Sequence, residues 1–197
     1  MTRFVRAVLA CALLGTIPMT SWAQSSENFV AQRPQLAVGK SWTLQDNVAH
    51  VSWTETITAV TPETITVQRS TGLIIVWDRD LNHVSAIGPG MNCIFKKDGY
   101  GPYPLLQFPL VAGKQWTDSY KSCFTGNVHT VKHTVSVDTL TINGQQRNVF
   151  KVVALHRRDN NGATGEETAW YDPTMGLIVR LESASWNTNR VVTETPP

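Results

Sequence analysis

The sequence predicts an all-β protein, an antiparallel curved sheet or incomplete barrel built from two related halves, with little helix. Apolar and polar residues alternate with period two over long runs, and no sustained three-to-four-residue apolar period occurs after residue 23. A Gly-Lys-x-Trp-Thr motif occurs twice, within residues 34–43 and 109–117. A self-match of this kind indicates an internal repeat. A two-sheet sandwich is the alternative architecture.

Residues 1–23 have the layout of a secretory signal peptide. Arg3 and Arg6 precede a mostly apolar run over 8–17, and Ser-Trp-Ala at 21–23 supplies small residues at a cleavage site. The apolar run is too short to span a bilayer, which takes about 20 residues. We therefore predict export to the periplasm or beyond the bacterial cell, and no membrane span. Lipid attachment at Cys11 is the less favoured alternative, because only a few apolar residues precede it.

The remaining chain, 24–197, is predicted to form a single β domain. Its pseudo-repeats cover about 34–87 and 109–186, joined by a linker over 88–108 in which glycine and proline fall among aromatic residues. Those aromatic side chains need cover, so the linker is expected to be packed and not floppy.

In the first half, residues 51–59 alternate between apolar and hydroxylic side chains, as expected of a half-buried strand. Thr61-Pro62-Glu63 predicts a turn, after which Ile65 and Val67 continue the alternation. The continuous apolar run 73–77 predicts a strand buried on both faces.

The second half repeats this plan with longer strands. Residues 131–137 place valines and His133 on one face, and Asn143-Gly144 predicts a type I′ hairpin turn. The return strand is predicted over 149–156, and residues 177–186 predict a last long strand.

The charge balance argues against nucleic acid as a partner. Cleavage removes two of the 17 basic residues and none of the 15 acidic ones, which leaves 15 of each. Binding to phosphates requires a basic surplus that can release counterions, and no basic run supplies one.

Cleavage also leaves two cysteines, Cys93 and Cys123. An even pair in an exported chain is most simply a disulfide. A two-cysteine metal site is disfavoured, because no close Cys-x-x-Cys spacing exists.

Two motifs carry a resemblance to a known class of proteins: Pro-Leu-x-x-Gly-Lys-x-Trp at 109–116, and Trp-Tyr-Asp-Pro-x-x-Gly-Leu-Ile-Val at 170–179. With the long hairpin between them, they resemble uncharacterised bacterial exported β-rich proteins of the TapB-like kind, which belong among domains of unknown function. The resemblance spans about 34–182. It implies a periplasmic or secreted β-rich domain, similar in architecture to the open half-barrels of lipoprotein carriers. The first half departs from it, because residues 77–80 lack the proline and glycine found in the second.

Candidate ligand-binding residues are Trp53, His129, His133 and Trp186. The two histidines share one face of a predicted strand, but four residues at about 3.3 Å each separate them by roughly 13 Å, too far for one metal ion. Most of the six tryptophans after residue 23 are expected in the core. Trp53 and Trp186 are the better candidates for a ligand-facing wall, because neither has a counterpart in the other half.

No catalytic motif is found: the chain has no Gly-x-Ser-x-Gly elbow, phosphate loop or His-Glu-x-x-His zinc motif. We therefore predict a non-catalytic envelope protein, without cofactor or metal, that binds a hydrophobic ligand or polypeptide on a concave β face. Its partner would be a lipid or another envelope protein. The alternative is a structural or assembly module of the envelope or extracellular matrix, and a hydrolase is less favoured.

Overall fold

The computed structural model describes residues 29–184 and 188–194, and these residues contain strands but no helix. The predicted signal peptide and Trp186 lie outside the described residues. Within these ranges no helix is long and apolar enough to cross a membrane. The fourteen strands are β1 (Val30–Ala31), β2 (Ser41–Asp46), β3 (Val51–Val60), β4 (Thr64–Arg69), β5 (Ile74–Asp78), β6 (His83–Gly88), β7 (Met91–Ile94), β8 (Leu110–Val111), β9 (Gln115–Lys121), β10 (Val128–Ile142), β11 (Gln145–Arg158), β12 (Thr164–Asp172), β13 (Leu177–Ser183) and β14 (Thr188–Glu194).

Twelve of these strands form one antiparallel sheet in the order β7-β6-β5-β4-β3-β2-β14-β13-β12-β11-β10-β9. The order describes two six-stranded meanders, β2 to β7 and β9 to β14, joined where β14 pairs with β2. Because β7 and β9 do not pair, the sheet is not closed by hydrogen bonds, and the predicted antiparallel all-β class is confirmed.

The two copies of the repeated motif make corresponding backbone contacts. Gly39 N donates to the Ile57 carbonyl (2.9 Å), and Gly113 N donates to the Val135 carbonyl (2.8 Å). Both glycines have positive φ, 90° and 82°, a conformation that glycine adopts at little cost. A relationship between the halves stays a prediction.

The central strand of the sheet is one that the sequence analysis missed. The strand predicted over 177–186 ends at Ser183, and β14 follows it as a separate strand. β14 lies between β13 and β2 and is the only hydrogen-bonded connection between the two meanders in the described part of the sheet.

A disulfide joins the two outer edges of the sheet. Cys93 lies in β7 at one edge, and Cys123 lies just after β9 at the other. The predicted bond between them is present, with Cα atoms 5.3 Å apart. The sheet must therefore curve until its edges meet, as in an incomplete barrel.

Part of the segment between β7 and β8 lies inside this curved sheet: Phe95 and residues 103–106 are buried, whereas residues 96–99 are exposed. Tyr103, Leu105 and Leu106 are buried. The amides of Leu105 and Leu106 donate to Asn82 Oδ1 at 2.6 and 2.8 Å, and Tyr103 exchanges backbone hydrogen bonds with His83. Residues 103–106 are packed as expected, but Ile94 is 45% exposed. Met91–Ile94, inside the predicted linker, form β7.

The strand alternation follows the sequence pattern closely in β10. Val131, His133 and Val135 are buried, and Asn143 and Gly144 both have positive φ, as a type I′ turn requires. The prediction that residues 73–77 are buried on both faces is wrong, because Ile74 is 45% exposed. Only the inner face of β5 is covered, so burial alternates along residues 73–75 although all five residues of the run are apolar.

Candidate functional site

Charged side chains occupy inward positions on five strands of the sheet. In β2 the inward residues Trp42 and Leu44 are followed by Asp46, and in β4 Ile65 and Val67 are followed by Arg69. We call the following five residues the charged cluster: Asp46, Glu55, Arg69, Glu167 and Arg190. Ionisable groups are rarely buried unless paired, so their arrangement is informative.

Arg69 and Glu55 form a fully engaged pair. They are direct cross-strand partners, and Arg69 Nε and Nη2 both donate to Glu55 Oε1, at 3.1 and 2.7 Å. Trp53 Nε1 donates to the same oxygen at 3.1 Å, and the Arg69 guanidinium lies 4.3 Å from the centre of the Trp53 ring. Charge-assisted hydrogen bonds and ring stacking together fix this arginine in place.

Arg190 is much less engaged. Its Nε lies 3.7 Å from Asp46 Oδ2, beyond hydrogen-bond distance, and makes no hydrogen bond with any described residue. The guanidinium is 5.7 Å from the Trp53 ring centre. Burial and the neighbouring Arg69 charge lower the pKa of Arg190, against the opposing carboxylates of the cluster.

Asp46 accepts hydrogen bonds from residues other than Arg190. Its Oδ1 accepts from the amides of Val48 and Ala49, and its Oδ2 accepts from the Thr188 hydroxyl at 2.9 Å. Although burial acts in the opposite direction, these hydrogen bonds lower the pKa of Asp46. Asp46 is therefore a capping residue for the β2–β3 turn and neutralises Arg190 only at a distance.

Glu167 is a deeply buried acid of the cluster, at 4% exposed. Burial raises the pKa of Glu167 to about 7, although a hydrogen bond with the Tyr103 side chain and the Arg190 charge both act to lower it. Its Oε1 atom has no hydrogen-bond partner among the described residues. Glu167 therefore keeps its proton to a higher pH than an exposed glutamic acid does.

The charged cluster borders an interior cavity between the sheet and residues 95–109. The cavity has two adjoining parts, of about 70 and 150 Å³, that share Arg69, Arg190 and His83 among their lining residues. Its other walls are apolar and aromatic, and are formed mainly by Trp42, Ile75, Trp77, Phe95, Leu105 and Leu181. The site is thus a small apolar cavity with charged groups of both signs, Glu55, Glu167, Arg69 and Arg190, in its lining.

One aromatic residue, Phe124, lies where the cavity opens to solvent. Phe124 is 53% exposed, lines the larger part of the cavity, and directly follows the disulfide-bonded Cys123. It also lines a neighbouring pocket of about 220 Å³ that contains His129 and His156.

A row of aromatic rings crosses the interior from one meander to the other. Trp42 and Trp77 stack at 6.0 Å, Trp77 and His83 at 6.3 Å, and Tyr103 contacts both His83 (6.0 Å) and His156 (5.8 Å). Burial, with Arg190 and Arg69 nearby, lowers the pKa of His83 to about 3. His83 is therefore a neutral, apolar-like wall residue at physiological pH.

The predicted histidines lie apart from the charged cluster. His133 is 1% exposed, stacks on Trp116 at 4.3 Å between ring centres, and its Nδ1 is 3.9 Å from Asp118 Oδ2. His129 stacks on Tyr120 at 5.0 Å and lines the pocket beyond Phe124. Burial lowers the pKa of both histidines. Among the described residues, no group of three or more His, Cys, Asp or Glu side chains could hold a metal ion.

Of the two predicted tryptophans, Trp53 lies behind Arg69 and does not line the cavity. It positions the arginines, and direct contact with a ligand stays a prediction. Trp186 lies outside the described residues.

Sequence reasoning missed Arg69, Glu167, Arg190 and His83 as cavity residues. A signal for two members of the charged cluster was present, because Glu55 interrupts the apolar face of 51–59 and Arg69 continues the face of Ile65 and Val67. No local signal places β14 beside β2, and so none brings Arg190 near Asp46.

The fold is similar to that of solved bacterial structures. The hypothetical lipoprotein YmcC from Escherichia coli K12 matches with a TM-score of 0.53 and 14% sequence identity, over 82% of this chain and 86% of that one. Two further structures match with a TM-score of 0.38: a candidate lipoprotein from Parabacteroides distasonis (11% identity, 84% and 99% covered) and a candidate exported protein with a YmcC-like fold from Bacteroides fragilis (12%, 85% and 100%). The sequence matches no protein-family model and no curated protein.

At 14% sequence identity, the structural similarity to YmcC shows that the two proteins share a fold. The chain therefore has an all-β fold found in a bacterial hypothetical lipoprotein, and its neighbours are described as lipoproteins or exported proteins. The finer resemblance to TapB-like proteins stays a prediction.

Proposed function

We propose that this protein is a non-catalytic, exported envelope protein that binds a hydrophobic ligand inside its curved sheet. The observation that carries the proposal is the interior cavity, whose walls are apolar and aromatic. Ligand sites are concave, mostly apolar and equipped with a few polar groups that fix orientation, which describes this chamber.

Two features support an exported location. The sequence begins with a predicted signal peptide, and the Cys93–Cys123 disulfide is typical of oxidising compartments. Structural neighbours are described as a lipoprotein and as an exported protein, which agrees with this proposal.

The size of the cavity limits the ligand. An apolar cavity of about 150 Å³ is known to accommodate benzene, and the larger part here has about that volume. A medium-length alkyl chain that enters beside Phe124 and ends near Trp42 fits these dimensions, so octanol is a suitable probe.

Binding can be followed by the protein's own fluorescence, because Trp42 and Trp77 line the cavity. We expect octanol to change the tryptophan emission and to raise the melting temperature; at 100 times Kd a ligand adds about 2.7 kcal/mol to stability. Native mass spectrometry of protein purified without detergent should show whether a natural ligand copurifies.

A cavity-filling variant with a matched control tests the location. Ala86→Leu places extra methyl groups in the cavity, whereas Ala59→Leu makes the same change on an exposed position of β3. We expect Ala86→Leu to weaken octanol binding at least tenfold and Ala59→Leu to leave it unchanged. Absence of any octanol effect on the parent protein, together with a clean apo mass, would refute the proposal.

The edges of the sheet support a second proposal, an assembly module. β7 and β9 are unpaired edges, and Ile87 and Ile94 beside the β7 edge are each 45% exposed. Unpaired edges can add a strand from another chain. Capture of a partner from envelope extracts that is lost when Ile94 is replaced by Lys would favour it, and a strictly monomeric protein without partner would contradict it.

A further inference from the structure

Within the charged cluster, one cation and one acid each keep a buried atom without a hydrogen-bond partner among the described residues. Glu55 Oε1 accepts from Arg69 and Trp53, and Asp46 accepts from the turn amides and Thr188. Arg190, with its side chain 33% exposed, lines both parts of the cavity, and its Nε makes no hydrogen bond with a described residue.

Glu167 lines the larger part of the same cavity, and its Oε1 atom lacks a hydrogen-bond partner in the described structure. A buried polar atom without a partner is destabilising, so it marks a place where a bound group would be stabilising. Arg190 offers N–H donors, and a protonated Glu167 offers an O–H donor.

We infer that Arg190 and protonated Glu167 together bind the carboxylate of a medium-chain carboxylic acid, whose alkyl chain occupies the apolar cavity. The inference rests on the proposed ligand-binding function and names the ligand's head group.

The unpartnered donor favours this head group over others. Because Asp46 and Glu55 accept hydrogen bonds from other residues, an alcohol leaves Arg190 without an anionic acceptor, and an ammonium group is repelled by Arg190. A phosphate monoester would bring nearly two negative charges beside Asp46 and Glu55. A carboxylate brings one and can accept from both donors.

The same geometry makes binding depend on pH. The charged or titratable groups that face Glu167 and Arg190 are Asp46, Glu55, Arg69, His83, Tyr103 and Tyr120. His83 stays neutral above its pKa of about 3, and an alkyl carboxylic acid, like a Glu side chain, is ionised above about pH 5. Glu167 is therefore the group that titrates near pH 7, and binding of an anion requires its protonated form.

The experiment compares octanoate, octanol and octylammonium by calorimetry and by thermal shift, on the oxidised full chain. We expect octanoate to bind at least tenfold more tightly than octanol at pH 6, and about tenfold more weakly at pH 8 than at pH 6. Glu167→Gln keeps a neutral donor and should abolish that pH dependence. Arg190→Gln should lower the affinity for octanoate at least tenfold while octanol binding is retained, which also shows that the variant cavity is intact.

Arg180→Gln is the matched control, because Arg180 lies on the outer face of neighbouring β13, over Trp170 and paired with Glu182. Equal binding of octanoate and octanol, or an equal effect of Arg180→Gln and Arg190→Gln, would overturn the carboxylate site and leave the cavity function standing. Failure of every probe to bind would overturn the cavity function and this inference with it.

Discussion

Loss of the disulfide between the sheet edges should destabilise this protein strongly. The bond closes a loop with a sequence separation of 30 residues, and it joins β7 and β9, which have no hydrogen-bonded pairing with each other. On the chain-entropy model a loop of this size restricts the unfolded state by about 3 to 4 kcal/mol. Domains of this kind are stable by about 5 to 15 kcal/mol, so the bond supplies a large fraction of the total.

The perturbation is the double variant Cys93→Ala/Cys123→Ala, compared with the oxidised and the reduced parent protein. Urea unfolding measured by fluorescence and circular dichroism should show a lower midpoint and a free energy of unfolding smaller by about 3 to 4 kcal/mol. The reduced parent should behave like the double variant, and reductant should not affect the double variant.

Hydrogen exchange adds a local test. Because no strand pairing joins β7 to β9 and the disulfide is the covalent link between these edges, amide protection should fall first in these two edge strands and last in β2 and β14 at the centre of the sheet. A loss of stability below about 1 kcal/mol, or uniform loss of protection across the sheet, would refute the reasoning that the bond acts by holding the edges together.

Three further changes test the interior. Glu167→Gln should make the protein more stable than the parent by about 3 kcal/mol at pH 8 and by little at pH 4. The pKa of Glu167 is raised to about 7 from an ordinary 4.5, so the parent loses stability as the pH rises through that interval. A difference between the urea midpoints of variant and parent that is the same at every pH would contradict this. Asn82→Ala should cost about 2 to 4 kcal/mol in urea unfolding, because two buried amides of the interior segment lose their acceptor, and a cost below 1 kcal/mol would show that these amides find water instead. Gly88→Ala should lower the melting temperature, because the added Cβ would lie 2.8 Å from Leu73 Cα. Gly101→Ala serves as the control, since its Cβ makes only an ordinary contact at 3.6 Å. Equal melting temperatures for the two variants would contradict the clash.

Much of the fold can be predicted from the sequence because strand alternation and turn chemistry are local properties. The face of β10 that carries Val131 and His133 and the type I′ turn at Asn143-Gly144 follow from neighbouring residues. The exposure of Ile74 could not be predicted from the same pattern, since the apolar run at 73–77 does not show that only one face of β5 is covered.

The candidate site could be predicted only in part. The search for spaced histidines and unmatched tryptophans led to His129, His133 and Trp53, of which His129 lines a neighbouring pocket and the other two line none of the cavities described above. Charged residues on otherwise apolar strand faces, such as Glu55 and Arg69, were the more informative signal, because burial of a charge requires a compensating partner.

The sequence by itself determined the all-β class and the cysteine pair, while the export signal and the charge balance that argues against nucleic acid stay predictions. Each of these follows from composition or from residues that are close in the chain. Only the tertiary structure decided that β14 joins the two meanders, that the disulfide links opposite edges of one sheet, and that Arg190, Glu167 and His83 line one cavity. These three residues come from strands far apart in the chain, and pairing between distant strands depends on how the whole sheet curves around residues 95–109.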